Sequence, residues 1–168
     1  MINKKFELTN ETINFFGKTL FRIKALMDFG DVETGELGGF VEKEENLDTN
    51  GNAWVSGDAM VYENAMVSGD AWVSGDAIVY GDAQVYGNAR VYGDAQVYGD
   101  GDYTTIKGFG TEFRTTTFFR CKDKKIRVVC GCFYGTIDQF RKQVKKTREG
   151  KIAKEYLMIA DLMEEHFK

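Results

Sequence analysis

From Gly51 onward the chain repeats itself every six residues. Aligned in sixes it reads GNAWVS, GDAMVY, ENAMVS, GDAWVS, GDAIVY, GDAQVY, GNARVY and GDAQVY, then decays into GDGDYT. Ala and Val keep their places through all eight hexads. A period of six fits neither an α-helix nor a simple hairpin meander. It fits a strand of a few residues followed by a corner, repeated, and a repeat of this kind decides the fold before any other feature does. Gly and Asp/Asn mark the corners, because both tolerate tight turns and an Asx side chain can hold nearby backbone amides.

The pattern resembles the hexapeptide repeat of left-handed parallel β-helices, in which three hexads make one triangular coil of eighteen residues. The resemblance spans residues 51–104. It implies that Val55, Val61, Val67, Val73, Val79, Val85, Val91 and Val97 point inward, with Ala53, Ala59, Ala65, Ala71, Ala77, Ala83, Ala89 and Ala95 tucked near the corners. In that family glycine directly follows the inward aliphatic. Here Ser or Tyr (Thr104 in the decaying hexad) follows, and in most hexads Gly comes one place later. Stacked strands lie ~4.8 Å apart, so residues eighteen apart sit above one another.

The outward columns follow from that stacking. One is Trp54, Trp72 and Arg90 beside Ser56, Ser74 and Tyr92. The second is Met60, Ile78 and Gln96 beside Tyr62, Tyr80 and Tyr98, and the third is Met66, Gln84 and Asp102 beside Ser68, Tyr86 and Thr104. A solvated prism standing alone does not favour outward Trp, Met and Ile, so flanking segments or further subunits are expected to cover them. Trp54, Trp72, Arg90, Tyr92 and the ladder Tyr62, Tyr80, Tyr98 are candidates to stack a planar ring. The plainer reading is that Tyr is a good outward strand residue that packs on its neighbours. The corner Asp/Asn residues are read as turn chemistry rather than as a metal-binding column, so no metal is expected.

Residues 1–50 read as a small β cap with an irregular first coil. Lys5–Leu8 and Leu20–Leu26 alternate as half-buried strands, and Val41 and Leu47 stand one hexad apart. A β-helix end exposes unpaired strand edges and needs such a cap. The run Glu42-Lys43-Glu44-Glu45 reads as solvated surface. Residues 105–168 differ in kind. Thr115–Cys121 and Lys125–Cys130 flank the turn Lys122-Asp123-Lys124 as a hairpin. Thr136-Ile137-Asp138-Gln139 has the form of a capping box, opening a helix with Ile137, Phe140 and Val144 on one face. Gly150 ends it, and a second helix from about Lys151 carries Tyr156, Ile159, Met163 and Phe167 at helical spacing. The expected fold is therefore mainly β: a short left-handed parallel β-helix (51–104) with an N-terminal β cap and a C-terminal ββαα module.

Charge is divided along the chain. Residues 1–100 carry seven Lys/Arg against seventeen Asp/Glu, and residues 101–168 carry fifteen against nine. Such polarity invites two different partner surfaces or head-to-tail assembly. The basic run Arg141, Lys142, Lys145, Lys146 is a candidate protein-interaction face, as is the acidic corner column Asp58, Asp76, Asp94. A basic patch on a chain of pI 5.1 is weak support for direct nucleic-acid binding, which is not expected. The stretch Met1–Glu7 lacks the apolar core of a signal peptide, and no apolar run approaches the ~20 residues of a membrane span. Cys121, Cys130 and Cys132 are odd in number and read as buried apolar cysteines in a reducing cytosol rather than as a disulfide or zinc set.

Catalysis finds little support in the residues. Hexapeptide acyltransferases typically use a histidine on or beside the coils as general base. This chain has one histidine, His166, outside the repeat. No phosphate-binding loop, nucleophile elbow or H-E-x-x-H is present. No catalytic residue and no cofactor is expected. The stretches "FGDVETGELGGFVEKEENL", "VYGDA/VYGNA" and "FFRCKDKKIRVVCGCFYGTIDQF" together are similar to small proteins of phages and prophages of Gram-positive bacteria. That resemblance implies a non-catalytic protein of the host cytosol, expected to antagonise host antiviral defence by sequestering a host protein or a nucleotide signal. The β-helix resemblance implies a homo-oligomer, most simply a trimer. A structural scaffold element is the alternative, and a hexapeptide acyltransferase the third reading.

Overall fold

The computed structural model describes residues 4–168. Met1, Ile2 and Asn3, part of the stretch read for a leader, lie outside the described residues. The chain forms two compact units that divide after Asp100.

The first unit is a β-solenoid. Its prism is built from eight two-residue strands, β4 (Trp54–Val55), β5 (Met60–Val61), β6 (Met66–Val67), β7 (Trp72–Val73), β8 (Ile78–Val79), β9 (Gln84–Val85), β10 (Arg90–Val91) and β11 (Gln96–Val97). All the pairings among them are parallel and eighteen residues in register, Trp54 on Trp72, Met60 on Ile78, Met66 on Gln84, Arg90 on Trp72 and Gln96 on Ile78. All eight inward valines and their alanines are buried and form the axis. Each corner is a β-turn. Ala59 N–H, for example, donates to Ser56 C=O at 3.3 Å, with Gly57 at φ +66°. Positive φ at the second residue of the turn is what glycine supplies without steric cost. This explains why Gly stands one place later than in the commoner hexapeptide pattern: it makes the corner rather than ending the strand.

Glu63 takes that glycine's place in one hexad at φ +61°. Its carboxylate accepts the Gly81 N–H of the next coil at 3.0 Å, and its own N–H donates to Glu42 Oε2. Glu42 also receives Lys18 Nζ, and its carboxyl pKa is lowered, chiefly by the Glu63 N–H. The acidic run is therefore not all solvated surface, as its sequence suggests. Its first residue fastens a strained corner.

The ladder has a direction: Trp54 N–H donates to Ala71 C=O, Met60 N–H to Ala77 C=O, and so on up the prism. The first coil is thus left with carbonyls facing the N-terminal end and the last with N–H groups facing away, and each set needs partners. The cap supplies donors. Lys5 Nζ, buried, donates to Ala53 C=O at 2.7 Å and Asp48 C=O at 3.1 Å. Arg22 reaches Gly38 C=O and Gly57 C=O, and the buried Asn46 amide reaches Ala65 C=O and Glu63 C=O. At the other end Asp100 Oδ1 accepts the Gln84 N–H at 3.0 Å.

The cap itself is the antiparallel pair β1 (Phe6–Phe15) and β2 (Lys18–Ala25), turning at Phe16-Gly17, followed by β3 (Leu37–Val41). β3 lies antiparallel to β2 and parallel to β5, so the cap extends one face of the prism as a six-stranded sheet, β1-β2-β3-β5-β8-β11. The first coil is irregular, as the Val41–Leu47 spacing suggests. Val41 pairs with Val61 and Leu47 with Val67, twenty residues apart rather than eighteen.

The second unit carries four strands where the sequence suggests two. β12 (Tyr103–Ile106), β13 (Thr116–Arg120), β14 (Ile126–Cys130) and β15 (Phe133–Thr136) form an antiparallel sheet in that order. Tyr103 and Thr104 therefore do not continue the prism, as the hexad alignment has it. They pair with Phe119 and Phe118. The physical reason is that GDGDYT lacks the Ala and Val that would fill the axis. Helices α1 (Ile137–Thr147) and α2 (Gly150–His166) follow. Thr136 Oγ1 accepts Gln139 N–H at 3.2 Å and Gln139 Oε1 accepts Thr136 N–H at 2.8 Å, the reciprocal cap the sequence announces. Ile137, Phe140 and Val144 pack with Tyr156, Ile159, Met163 and Phe167 against Phe118 and Val128. Thr136→Ala should destabilise this unit by about 1 kcal/mol in chemical denaturation, with Thr136→Ser close to unchanged. Among the described residues no helix is long and apolar enough to cross a membrane.

Candidate functional site

Two outward columns of the prism, Trp54–Trp72–Arg90 and Tyr62–Tyr80–Tyr98, start buried in the first coil and open in the later ones. Trp54, in the first coil, is fully buried: Phe29 of the cap meets its ring edge-on at 5.4 Å, and Gly38 lies so close that a Cβ there would stand 2.7 Å from the indole. Trp54 is therefore core, and no face of it is left for a ligand. One coil up, Trp72 is half-buried and donates its indole N–H to Ser56 Oγ at 3.1 Å. Arg90 stands one coil further, its guanidinium 5.6 Å from the Trp72 ring centre, the distance of a cation–π pair. Tyr92, at the next corner, is half-buried.

The tyrosine ladder repeats the gradient. Tyr62 is only 6% exposed, packed with Leu20 and Phe40 and edge-on to Phe15. Burial, with the neighbouring Tyr80, Glu63 and Glu42, pushes its hydroxyl up to about 12. Tyr80 stacks on it at 5.4 Å with ring planes 16° apart, and Tyr98 tilts against Tyr80 at 5.1 Å. Tyr98 is 60% exposed, and Tyr86 on the third face 62%. Part of the cover anticipated for Trp, Met and Ile comes from the chain's own N-terminal segment, over Trp54, Met60 and Ile78, while Met66 of the first coil stays exposed.

The corner carboxylates behave as turn residues. Asp58 N–H and Asp76 N–H donate to Gly75 C=O and Gly93 C=O one coil on. Asp58 and Asp76 are exposed and Asp94 half-buried, and Arg22 approaches Asp58 at 3.6 Å. In the other two columns an amide stands beside a carboxylate, Asn52 donating to Asp70 at 2.9 Å and Asn64 to Asp82 at 3.0 Å, which relieves like-charge stacking. Among the described residues no group of three or more His, Cys, Asp or Glu is placed to hold a metal.

In the second unit the basic run divides. Lys142, Lys145 and Lys146 are exposed on α1. Arg141 is not part of an open face: it clamps α1 to α2 through Asp161 at 2.8 Å and Glu164 at 2.5 Å, and also meets Asp138. Those carboxylates, Glu164 first, hold its pKa further above the ordinary guanidinium value. His166 is exposed at the end of α2, edge-on to Phe167. The cysteines are also not uniformly buried, as their apolar surroundings suggest. Cys121 is buried, but Cys130 is half-buried and Cys132 exposed, because Gly131-Cys132 form the tight turn between β14 and β15.

That turn is one wall of a cleft the sequence does not announce. The cleft measures about 340 Å³ and is lined by Tyr156, Phe140, Val144, Phe133, Arg114 and Arg148 among others, while the ring of Tyr134, next to Phe133 in β15, turns to the opposite face of the sheet against Phe119. Its parts come from a loop, a hairpin turn and two helices, so no spacing in the sequence connects them.

Residues 59–75 and 83–99 match the family model for the YdcK β-solenoid repeat. No curated protein matches the chain. The matched stretches lie in the prism, and with its coils of eighteen residues they identify the central segment as a short β-solenoid of the YdcK repeat type.

Proposed function

We propose that the chain is a non-catalytic binding protein that captures its target on the later, more exposed coils of the prism. The observation that supports this is the gradient along the columns. The cap buries Trp54 and Tyr62, whereas Trp72, Arg90, Tyr86 and Tyr98 stay partly or largely exposed on a backbone held by a continuous ladder. Aromatic and arginine side chains on a rigid support lose little entropy on binding and are the residues that most often anchor a partner. In its finer form the proposal is that of a phage or prophage protein of the host cytosol, which antagonises defence by sequestering a host protein or a nucleotide signal. It works as a homo-oligomer, a trimer by preference.

The test is a comparison of capture by the wild-type chain, Arg90→Ala, Tyr98→Ala and His166→Ala, each checked for an unchanged melting curve. Under this proposal the first two changes weaken capture at least tenfold and the third leaves it alone. Capture that survives both prism changes favours the scaffold reading. Turnover lost only in His166→Ala favours the acyltransferase.

A further inference from the structure

The cleft of the second unit has the make-up of a site for an anion that carries a planar ring. Its lining holds two guanidinium groups and no carboxylate. Arg114 is placed rather than loose. Gly131, at φ +60°, has no side chain, and Arg114 Nη1 lies 2.8 Å from where a Cβ would be, so the arginine lies across the β14–β15 turn. Its partner Glu112 is 3.9 Å away and exposed, a contact worth little in water. Arg148, just past the end of α1, makes no ion pair among the described residues. Both guanidinium groups line the cleft of which Tyr156 is also a wall. Burial, and next Cys130, raise the Tyr156 hydroxyl pKa, while Arg148 and Arg114 oppose that rise. The hydroxyl itself donates to Phe109 C=O at 3.2 Å, which fixes that wall.

Two guanidinium groups lining one cleft suit a phosphate, which each can grip with paired N–H donors. The half-buried Phe133, tilted against Phe140 at 5.5 Å, gives the same cleft an aromatic wall. The volume is at the small end of ligand clefts, enough for a nucleoside monophosphate and too small for a dinucleotide. The geometry points to a second binding site in this protein, in the C-terminal unit, for a phosphorylated ligand bearing one planar ring, with Arg114 and Arg148 on the phosphate and Phe133 against the ring. This site is independent of the prism, and the variants below leave Arg90 and Tyr98 untouched.

The test is calorimetric titration of the full chain with the 5′-monophosphates of adenosine, guanosine, cytidine and uridine, and with inorganic phosphate. At least one nucleoside monophosphate should bind with a Kd under about 100 µM, and inorganic phosphate at least tenfold more weakly. Arg114→Ala and Arg148→Ala should each weaken binding at least tenfold, and Phe133→Leu, which keeps the packing on Phe140 but removes the flat ring, several-fold. Lys142→Ala, which removes the same charge from the far side of α1, should leave it unchanged. Both arginines are exposed, so their truncation does not threaten the fold. If no monophosphate binds, or if Lys142→Ala weakens binding as much as the arginine changes, the site is refuted.

Discussion

Trp54→Ala should cost the first unit about 3–5 kcal/mol, while Trp72→Ala, eighteen residues on in the same column, should cost far less. The two tryptophans occupy equivalent places in the repeat and are paired in register on neighbouring coils. They differ in what lies outside. Trp54 is sealed by Phe29, and by Gly38 pressed against its ring, so its truncation opens a cavity where cap and prism meet. Trp72 is half-buried, and its site can collapse or fill with water. Trp54→Phe separates packing from polarity. The Trp54 indole N–H is buried without a hydrogen-bond partner, so phenylalanine removes an unsatisfied donor and leaves only a small void. Chemical denaturation should place Trp54→Phe within about 1.5 kcal/mol of wild type. Equal losses for the two alanine variants would mean that the cap does not seal the first coil.

The second large effect is one of pH. Lys5 plugs the carbonyl end of the prism and lies over the Phe29 ring at 4.5 Å. Burial lowers its pKa from 10.5 to about 8, against the attraction of Asp48 and Asp70. In the unfolded chain the amine holds its proton to about 10.5. Between pH 8 and 10.5 the unfolded state therefore binds more protons than the folded one, and stability rises with pH across that window. Below pH 8 the cost of burying the ammonium is present in full. The neutral amine still has two N–H groups for its two carbonyls. Tyr62 has the opposite sign. With a folded pKa near 12 against 10 unfolded, it keeps its proton longer when folded, so stability falls between pH 10 and 12. Urea denaturation should show a gain of about 2 kcal/mol from pH 7.5 to 10, then a decline. Lys5→Met should abolish the gain, and a flat profile in the wild-type chain would show that the amine is solvated.

Much of this fold is legible in the sequence because the relevant contacts repeat. Val and Ala at a period of six leave one arrangement that buries them all, and the eighteen-residue register follows. The helices are legible for a local reason: the Thr136–Gln139 cap and the spacing of Phe140, Val144, Tyr156, Ile159 and Met163 need only their own neighbours. The rest depends on distant segments. The depth of Trp54 is set by Phe29, twenty-five positions away, and that of Tyr62 by Leu20 and Phe40. The first coil takes twenty residues because the corner after Leu47 is two residues longer, with Asp48 Oδ1 accepting Asn50 N–H. β12 hides in the last decaying hexad, and β15 is only four residues long with a glycine inside it. The cleft around Arg114 and Arg148 joins a loop, a turn and two helices. Arg141, by contrast, looks like open basic surface until Asp161 and Glu164 are seen across from it.

The central claim, that the later coils hold a target, is tested most directly by native mass spectrometry of the intact chain recovered gently from cells, beside Arg90→Ala and Tyr98→Ala. The account predicts an oligomer of the wild-type chain that retains additional mass, protein or nucleotide, and loses it in both variants. An identical bare species in all three preparations would contradict it.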